Sequence, residues 1–247
     1  MTGSGGVPTR GLLPILIPGL LAPLAAFAAI ATGMRWPLPV LETFAVYPSF
    51  AFFVTRGRRA AAVGATLLWA FGLAATVIFA AARDPVRVGA AVPRGPEYRD
   101  EMFSYVATGH GQETDPSRFL PRHALDLALF VALSLITGGL LGLVMGGVLV
   151  GYMSYYVGSL AAGGAPLRAA LLGWPPWAIL RVVAFVLIGV VAARPLLARL
   201  ARRDVPATGE RRLLVAAAVL LVLDVVLKTV LAAGWAAILR PCLPPSP

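Results

Sequence analysis

Long apolar runs constrain the fold of this chain more than any other feature of its sequence. Six such runs cover approximately positions 11–33, 37–54, 60–82, 121–163, 174–193 and 212–239. A helix rises about 1.5 Å per residue, so about 20 apolar residues cross a hydrocarbon core ~30 Å thick. The runs therefore predict an all-α, polytopic integral membrane bundle with six or seven transmembrane helices.

The low content of charged residues supports this prediction. Of the 247 residues, 13% are charged and 59% hydrophobic, and the mean hydropathy is +0.83. About a quarter of the residues of a soluble domain are charged. The net charge of +10 does not indicate nucleic-acid binding, because the basic residues form short clusters between apolar runs, as membrane topology signals do. We therefore expect a lipid bilayer as partner and no nucleic acid.

The first apolar run is compatible with two interpretations. It contains Pro14, Pro18 and Pro23, and each proline removes a backbone donor, so a spanning helix here should be kinked or start late. Alternatively, the run is a cleaved signal peptide with Arg10 in its basic region. Three prolines are unusual in the apolar part of a signal peptide, and this favours a span.

Two other runs depart from the expected length. The run at 37–54 is short and contains Glu42 and Pro48, so it either spans or re-enters the membrane. The run at 121–163 is too long for one span. Thr137-Gly138-Gly139 is a natural break within it, which predicts two spans joined by a tight turn.

Arginine clusters predict the orientation in a bacterial inner membrane. They comprise Arg56, Arg58 and Arg59, and then Arg194, Arg199, Arg202, Arg203, Arg211 and Arg212. Basic residues concentrate in cytoplasmic loops, so we place both clusters inside, which again requires two spans within 121–163. Segment 83–122 has six arginines and six acids and is predicted to be an extracytoplasmic loop of about 40 residues. It separates N-terminal helices (1–82) from C-terminal helices (123–240), and a Pro-rich tail follows (241–247).

A ladder of glycines follows the predicted turn. It consists of Gly138, Gly142 and Gly146, with Gly147 and Gly151 offset by one residue. Spacing of four places glycines on one helical face, where they let a neighbouring helix approach closely. We expect tight helix packing here. The alternative is a path or pocket lined by backbone.

An intramembrane charge pair is predicted in the last run. Asp224 lies near the bilayer midplane, and Lys228, the only lysine of the chain, follows one turn later on the same face. A charge in the bilayer core costs several kcal/mol unless it is paired, and such residues often mark function. The pair is either structural or functional, and Glu42 is a possible cross-helix partner of Lys228. Arg181 and Asp126 lie near predicted span ends, where long side chains reach the interface.

The sequence around this pair resembles single helices of two families. Leu223–Lys228 is similar to the retinal-binding helix of microbial rhodopsins, which would make Lys228 the Schiff-base lysine and Asp224 its counter-ion. It also resembles the Asp-x-x-x-Lys of lipoprotein signal peptidases. The other rhodopsin motifs are absent, and the peptidase motifs need asparagine, which this chain lacks. The sequence therefore assigns the chain to neither family.

The segment 97–123 contains the other candidate site. It holds both histidines, and His110, Glu113 and His123 together supply two imidazoles and a carboxylate, which is the ligand set of an open zinc site. The spacing matches no strict metal motif. The alternative is a structured cap in which Asp115-Pro116-Ser117 starts a turn or helix.

Two classes of function follow from these features. The first is a small transporter or channel-like protein, or an accessory subunit that associates with other membrane subunits or with itself. The second is a membrane-embedded enzyme with an extracytoplasmic, metal-dependent site. The sequence lacks a phosphate-binding loop, the Gly-x-Ser-x-Gly elbow and the His-Glu-x-x-His helix, and this favours the first class. The sequence indicates no particular cofactor.

Overall fold

The computed structural model describes residues 13–244, except for the side chain of Glu113. Within that range the chain forms ten α-helices and no strand. Seven helices are long and apolar enough to span a bilayer. They are α1 (Leu13–Thr32), α2 (Pro37–Thr55), α3 (Arg59–Arg83), α6 (Pro116–Thr137), α7 (Leu140–Ala161), α9 (Pro176–Leu200) and α10 (Glu210–Leu239). The predicted helical membrane bundle is confirmed, with seven candidate spans.

The two ends of the bundle differ in their connections. At one end, which we call the arginine end, short links at 56–58, 138–139 and 201–209 join successive spans. Glu210 there contacts Arg59 and Arg194 in salt bridges, which tie α3, α9 and α10 together. The other end, which we call the capped end, carries three short helices. These are α4 (Pro85–Ala91), α5 (Gly95–Thr108) and α8 (Pro166–Leu172).

The segment predicted as a loop at 83–122 is therefore largely helical. Besides α4 and α5 it contains a 3-10 turn at Gln112–Thr114, and the next span starts within it, at Pro116. Asp115 caps that span by accepting a hydrogen bond from the backbone N–H of Ser117, 3.0 Å away. The alternative of a structured cap, with a helix starting at these residues, matches the structure.

The hairpin inside the longest apolar run is also present. Helix α6 ends at Thr137 and α7 begins at Leu140. Gly138 and Gly139 between them have φ values of 61° and 89°, in the left-handed region that favours glycine. Two glycines in succession reverse the chain within two residues, so α6 and α7 pack side by side.

Packing divides the spans into a central and a peripheral group. Helix α3 lies at the centre, in contact with α1, α2, α7 and α9. Helix α2 is continuous through Pro48 and long enough to span, and α1 is continuous through Pro18 and Pro23. Arg10, on which the signal-peptide alternative rests, lies outside the described residues. Helices α6 and α10 bury the smallest share of their residues and form the periphery.

Candidate functional site

A deep cavity runs through the bundle between α2, α3, α6, α7 and α9. It encloses about 1340 Å³ of empty space, including the part open to solvent. On α6 its lining extends from Phe119 to Ser134, which is about 22 Å along the helix at ~1.5 Å per residue. The cavity therefore covers most of a hydrocarbon core ~30 Å thick.

The part of the cavity near the capped end, which we call the mouth, holds the charged side chains of the lining, among aromatic ones such as Trp174 and Trp177. Its charged or titratable residues are Glu101 of α5, Arg122, His123 and Asp126 of α6, and Arg181 of α9. Asp126 follows Arg122 by four residues and His123 by three, and these spacings bring the three residues to one side of α6. Both signs of charge thus meet where the cavity nears the capped end.

The part nearer the arginine end is apolar, and we call it the chamber. It is lined by Phe50, Phe130, Gly139, Leu143, Gly146, Phe185, Val186 and Gly189. Phe130 and Phe185 pack against each other with ring centroids 4.9 Å apart. Two polar side chains also line this part. Thr66 donates its hydroxyl hydrogen to Ala62 O in its own helix, and the buried Ser134 hydroxyl has no hydrogen-bond partner among the described residues.

An ion pair fixes the wall of the mouth. Arg181 donates from Nε and Nη2 to the two carboxylate oxygens of Asp224, at 2.9 and 2.8 Å. Such two-point geometry is the strong form of this interaction. Only 3% of the Asp224 side chain is exposed. Arg181 thus lies inside the bundle, whereas the sequence suggested an interfacial residue, because only the packing of α9 on α10 brings the two side chains together.

Lys228 is buried at the same side of the bundle. Its exposed fraction is 0%, and Nζ lies 4.4 Å from the centroid of the Phe119 ring, a cation–π contact. Phe119 in turn contacts His123, with ring centroids 5.4 Å apart. Asp224 and Lys228 are therefore both buried, and each contacts a neighbouring span, while their pairing with each other stays a prediction.

Glu42 lies behind the cavity wall rather than beside Lys228. It is fully buried, and its Oε2 accepts a hydrogen bond of 2.7 Å from the indole N–H of Trp69. Its Oε1 has no hydrogen-bond partner within the described residues. The hydrogen bond of Glu42 is thus made to α3, because α2 packs against α3, and its possible partnership with Lys228 stays a hypothesis.

The glycine ladder serves two different purposes. A Cβ at Gly142 would lie 2.0 Å from Ser134 Oγ, so Gly142 allows close contact of α6 and α7, and Gly147 and Gly151 approach Pro39 and Leu38. Gly138 belongs to the turn. At Gly146 a Cβ would meet nothing within 4 Å, and the residue lines the chamber. For Gly146, the alternative of a pocket lined by backbone describes the structure and helix packing does not.

A close approach of α7 to the backbone of α3 lies outside the predicted ladder. A Cβ at Gly158 would be 2.6 Å from both Ala81 Cβ and Ile78 O of α3. Gly158 is the fourth residue after Ser154, so these two small residues lie on one helical face. A search for small residues in general, and not for glycine alone, would have found Gly158.

The candidate metal ligands are divided between two environments. His110 is exposed, whereas His123 is half-buried in the mouth. The turn that carries Glu113 packs against α6 and α10, but the side chain of Glu113 lies outside the described part of the structure. Among the described residues, no group of three or more His, Cys, Asp or Glu side chains is arranged to hold a metal ion. The zinc site stays a prediction.

Comparison with known proteins adds no family to this description. No family model, curated protein or solved structure matches the chain. The geometry of the chain is that of a multi-pass membrane protein with a deep cavity inside the bundle.

Proposed function

We propose that this protein is a small transporter-like membrane protein that binds its substrate in the cavity. The observation that carries the proposal is the depth of the cavity, from the mouth to the turn between α6 and α7. Transporter substrates bind inside the bundle near the bilayer midplane, where charged side chains are rare and tend to be functional. The bilayer is the partner that the exposed apolar faces of α6 and α10 require.

The buried charges support the proposal by giving the cavity a fixed polar wall. Arg181 lines the mouth, and Asp224 holds its guanidinium from behind. An arginine held at two points keeps one orientation towards whatever enters the mouth. In this proposal Asp224 positions Arg181, and Arg181 contacts the substrate.

The orientation of the bundle in the membrane is part of the same proposal. The arginine end carries both predicted cytoplasmic clusters, so the mouth opens towards the outside of a bacterial inner membrane. Reporter fusions should read cytoplasmic at Thr208 and extracytoplasmic at Gly111. A cytoplasmic reading at Gly111 would reverse the direction in which substrate enters.

Blocking the chamber tests the proposed function. Gly146→Trp places a large side chain where a Cβ meets nothing, and Gly234→Trp is the matched control because Gly234 is exposed on α10 with nothing within 4 Å of its Cβ. Cells producing each variant or the wild type are compared by untargeted mass spectrometry of membranes and medium. We expect the wild type and Gly234→Trp to change the distribution of one compound between the two sides, and Gly146→Trp not to do so.

One observation favours a membrane enzyme as the second candidate. His123 Nδ1 is buried with no hydrogen-bond partner among the described residues, and Arg122 and Asp126 line the same mouth. A histidine beside a carboxylate is a combination used in acid–base chemistry. The same mass-spectrometric comparison separates the two candidates. An enzyme produces a new compound, which His123→Ala should abolish, and a metal enzyme would also lose bound metal in that variant.

A further inference from the structure

The division of the cavity into a polar mouth and an apolar chamber indicates its ligand. We infer that the substrate is a single-chain amphiphile, whose charged headgroup lies in the mouth and whose hydrocarbon tail fills the chamber. This inference rests on the proposed function and adds the chemical class of the substrate.

Polarity changes along two facing helices at the same depth. On α6 the last charged lining residue is Asp126, and the lining then continues through Phe130 to Ser134. On α9 it is Arg181, followed by apolar residues to Gly189. Both stretches are eight residues long, so the chamber extends about 12 Å beyond the charges at ~1.5 Å per residue.

The chamber is better suited to a hydrocarbon tail than to water or a polar solute. Water in a cavity needs two to four polar partners, and cavities lined by aliphatic and aromatic side chains stay dry or take apolar ligands. Gly139 and Gly189 let the rings of Phe50 and Phe130 lie close to the backbone, and the open space at Gly146 leaves room along α7. A chamber of this length and lining accommodates an extended alkyl chain.

The mouth provides for a charged headgroup. Arg122 and Arg181 supply guanidinium groups, and Glu101 and Asp126 supply carboxylates, at the boundary with the chamber. A headgroup that carries a phosphate, alone or with an ammonium, has charges that complement this wall. The tail and the headgroup are then bound by adjoining parts of one cavity.

Helix α6 gives a membrane amphiphile a route to the cavity. It forms one wall of both the mouth and the chamber, yet it buries few of its own residues in the bundle. Lipid therefore lies directly against the outer side of this wall. A single-chain lipid reaches the cavity by moving past α6, without transfer of its tail through water.

A chain-length series tests the inference in the wild-type protein. Lysophosphatidylglycerols and lysophosphatidylcholines of increasing acyl length are titrated into protein in nanodiscs, with empty nanodiscs as background. Bromine on the terminal part of the tail should quench Trp69, which lines the chamber near Gly147. With the signal of empty nanodiscs subtracted and the affinity referred to lysolipid free in water, we expect each added methylene group to raise the affinity up to about fourfold, until the chamber is full. The two headgroup series show whether an anionic or a zwitterionic head is preferred.

Filling the chamber should remove the dependence of affinity on acyl chain length. Gly146→Trp should weaken binding of the long-chain lipids roughly a hundredfold, the value of about three or four methylene groups, while Gly234→Trp should bind like the wild type. Gly146→Leu serves as the smaller change if the tryptophan variant does not fold, and it should end the gain at a shorter chain.

Two results would overturn the inference, and one of them spares the proposed function. In a Cys242→Ser background, a charged thiol reagent that modifies Gly146→Cys as fast as an exposed cysteine would show a water-filled chamber. Equal binding of glycerol phosphate and its long-chain lysolipid would exclude a tail site.

A polar compound redistributed by the wild type and not by Gly146→Trp would then leave the transporter proposal standing. If the chamber binds lysolipids but Gly146→Trp and wild-type cells distribute every compound alike, the lipid site exists and the transporter proposal fails.

Discussion

The mouth and the chamber of the cavity are built in opposite ways. The mouth is shaped by side chains that hold one another across helices, as Arg181 holds Asp224. The chamber is shaped by apolar side chains and by a missing one at Gly146, where a Cβ would meet nothing within 4 Å. Changes in the mouth therefore act mainly through charges left buried, and changes in the chamber act through volume. The mouth is thus sensitive to the charge of its side chains, and the chamber is sensitive to their size.

The largest effect is expected from removal of Arg181. Arg181→Leu leaves the buried Asp224 without the guanidinium that donates two hydrogen bonds to its carboxylate. Breaking a buried ion pair from one side costs about 3 kcal/mol or more, here towards the low end because Arg181 is partly exposed to the cavity. The free energy of unfolding in mixed micelles measures the change.

Double substitutions control for this loss. Arg181→Leu combined with Asp224→Leu removes both charges and should recover most of the stability of the wild type. Asp224→Leu combined with Lys228→Leu should not, because it leaves Arg181 without its carboxylate. Equal stability of the two double variants would show that Asp224 is shared evenly between the two cations, and the mouth would then be less ordered than the ion pair indicates.

An intermediate effect is expected where glycines meet backbone. Gly158→Ala forces a Cβ to within 2.6 Å of Ile78 O, which should cost about 1–3 kcal/mol of unfolding free energy. The same change at Gly146 meets open space and should be neutral or stabilise by up to about 1 kcal/mol, because alanine favours the helix. A lower unfolding free energy for Gly146→Ala than for the wild type would mean that α7 packs against its neighbours at Gly146, where the structure shows open space.

The smallest effect is expected behind the cavity wall, at Glu42. Glu42→Gln keeps an acceptor for the indole N–H of Trp69, so unfolding free energy should change by less than about 1 kcal/mol. Glu42→Leu removes the acceptor and should cost about 1–3 kcal/mol, since it leaves a buried donor unsatisfied. Trp69 fluorescence in the two variants reports whether the indole keeps its position. A larger loss in the glutamine variant would show that a charge at Glu42 matters to the fold.

The local rules of the sequence predicted the elements well. A helix starts at Asp115-Pro116, and the chain reverses at Gly138-Gly139. Both features depend on local backbone geometry alone, so they can be predicted without knowing which residues pack against them. The helical character of 83–122 was anticipated only by the alternative of a structured cap, because α4 and α5 are too short to span and membrane hydropathy does not report on such helices. The burial of Asp224 and Lys228 on one face follows from a spacing of four residues.

By itself the sequence determined that the chain is a helical membrane protein with six or seven spans, because hydrophobic length has to match the bilayer. It also identified the two charges on α10 and the glycines of α7. Only the tertiary structure decided that Arg181 is the partner of Asp224, that Trp69 is the partner of Glu42, and that Gly146 faces open space. These assignments depend on which faces of different helices meet, and residues distant in sequence carry no local signal of that meeting. The cavity is likewise a property of how five helices pack, and no single helix contains it.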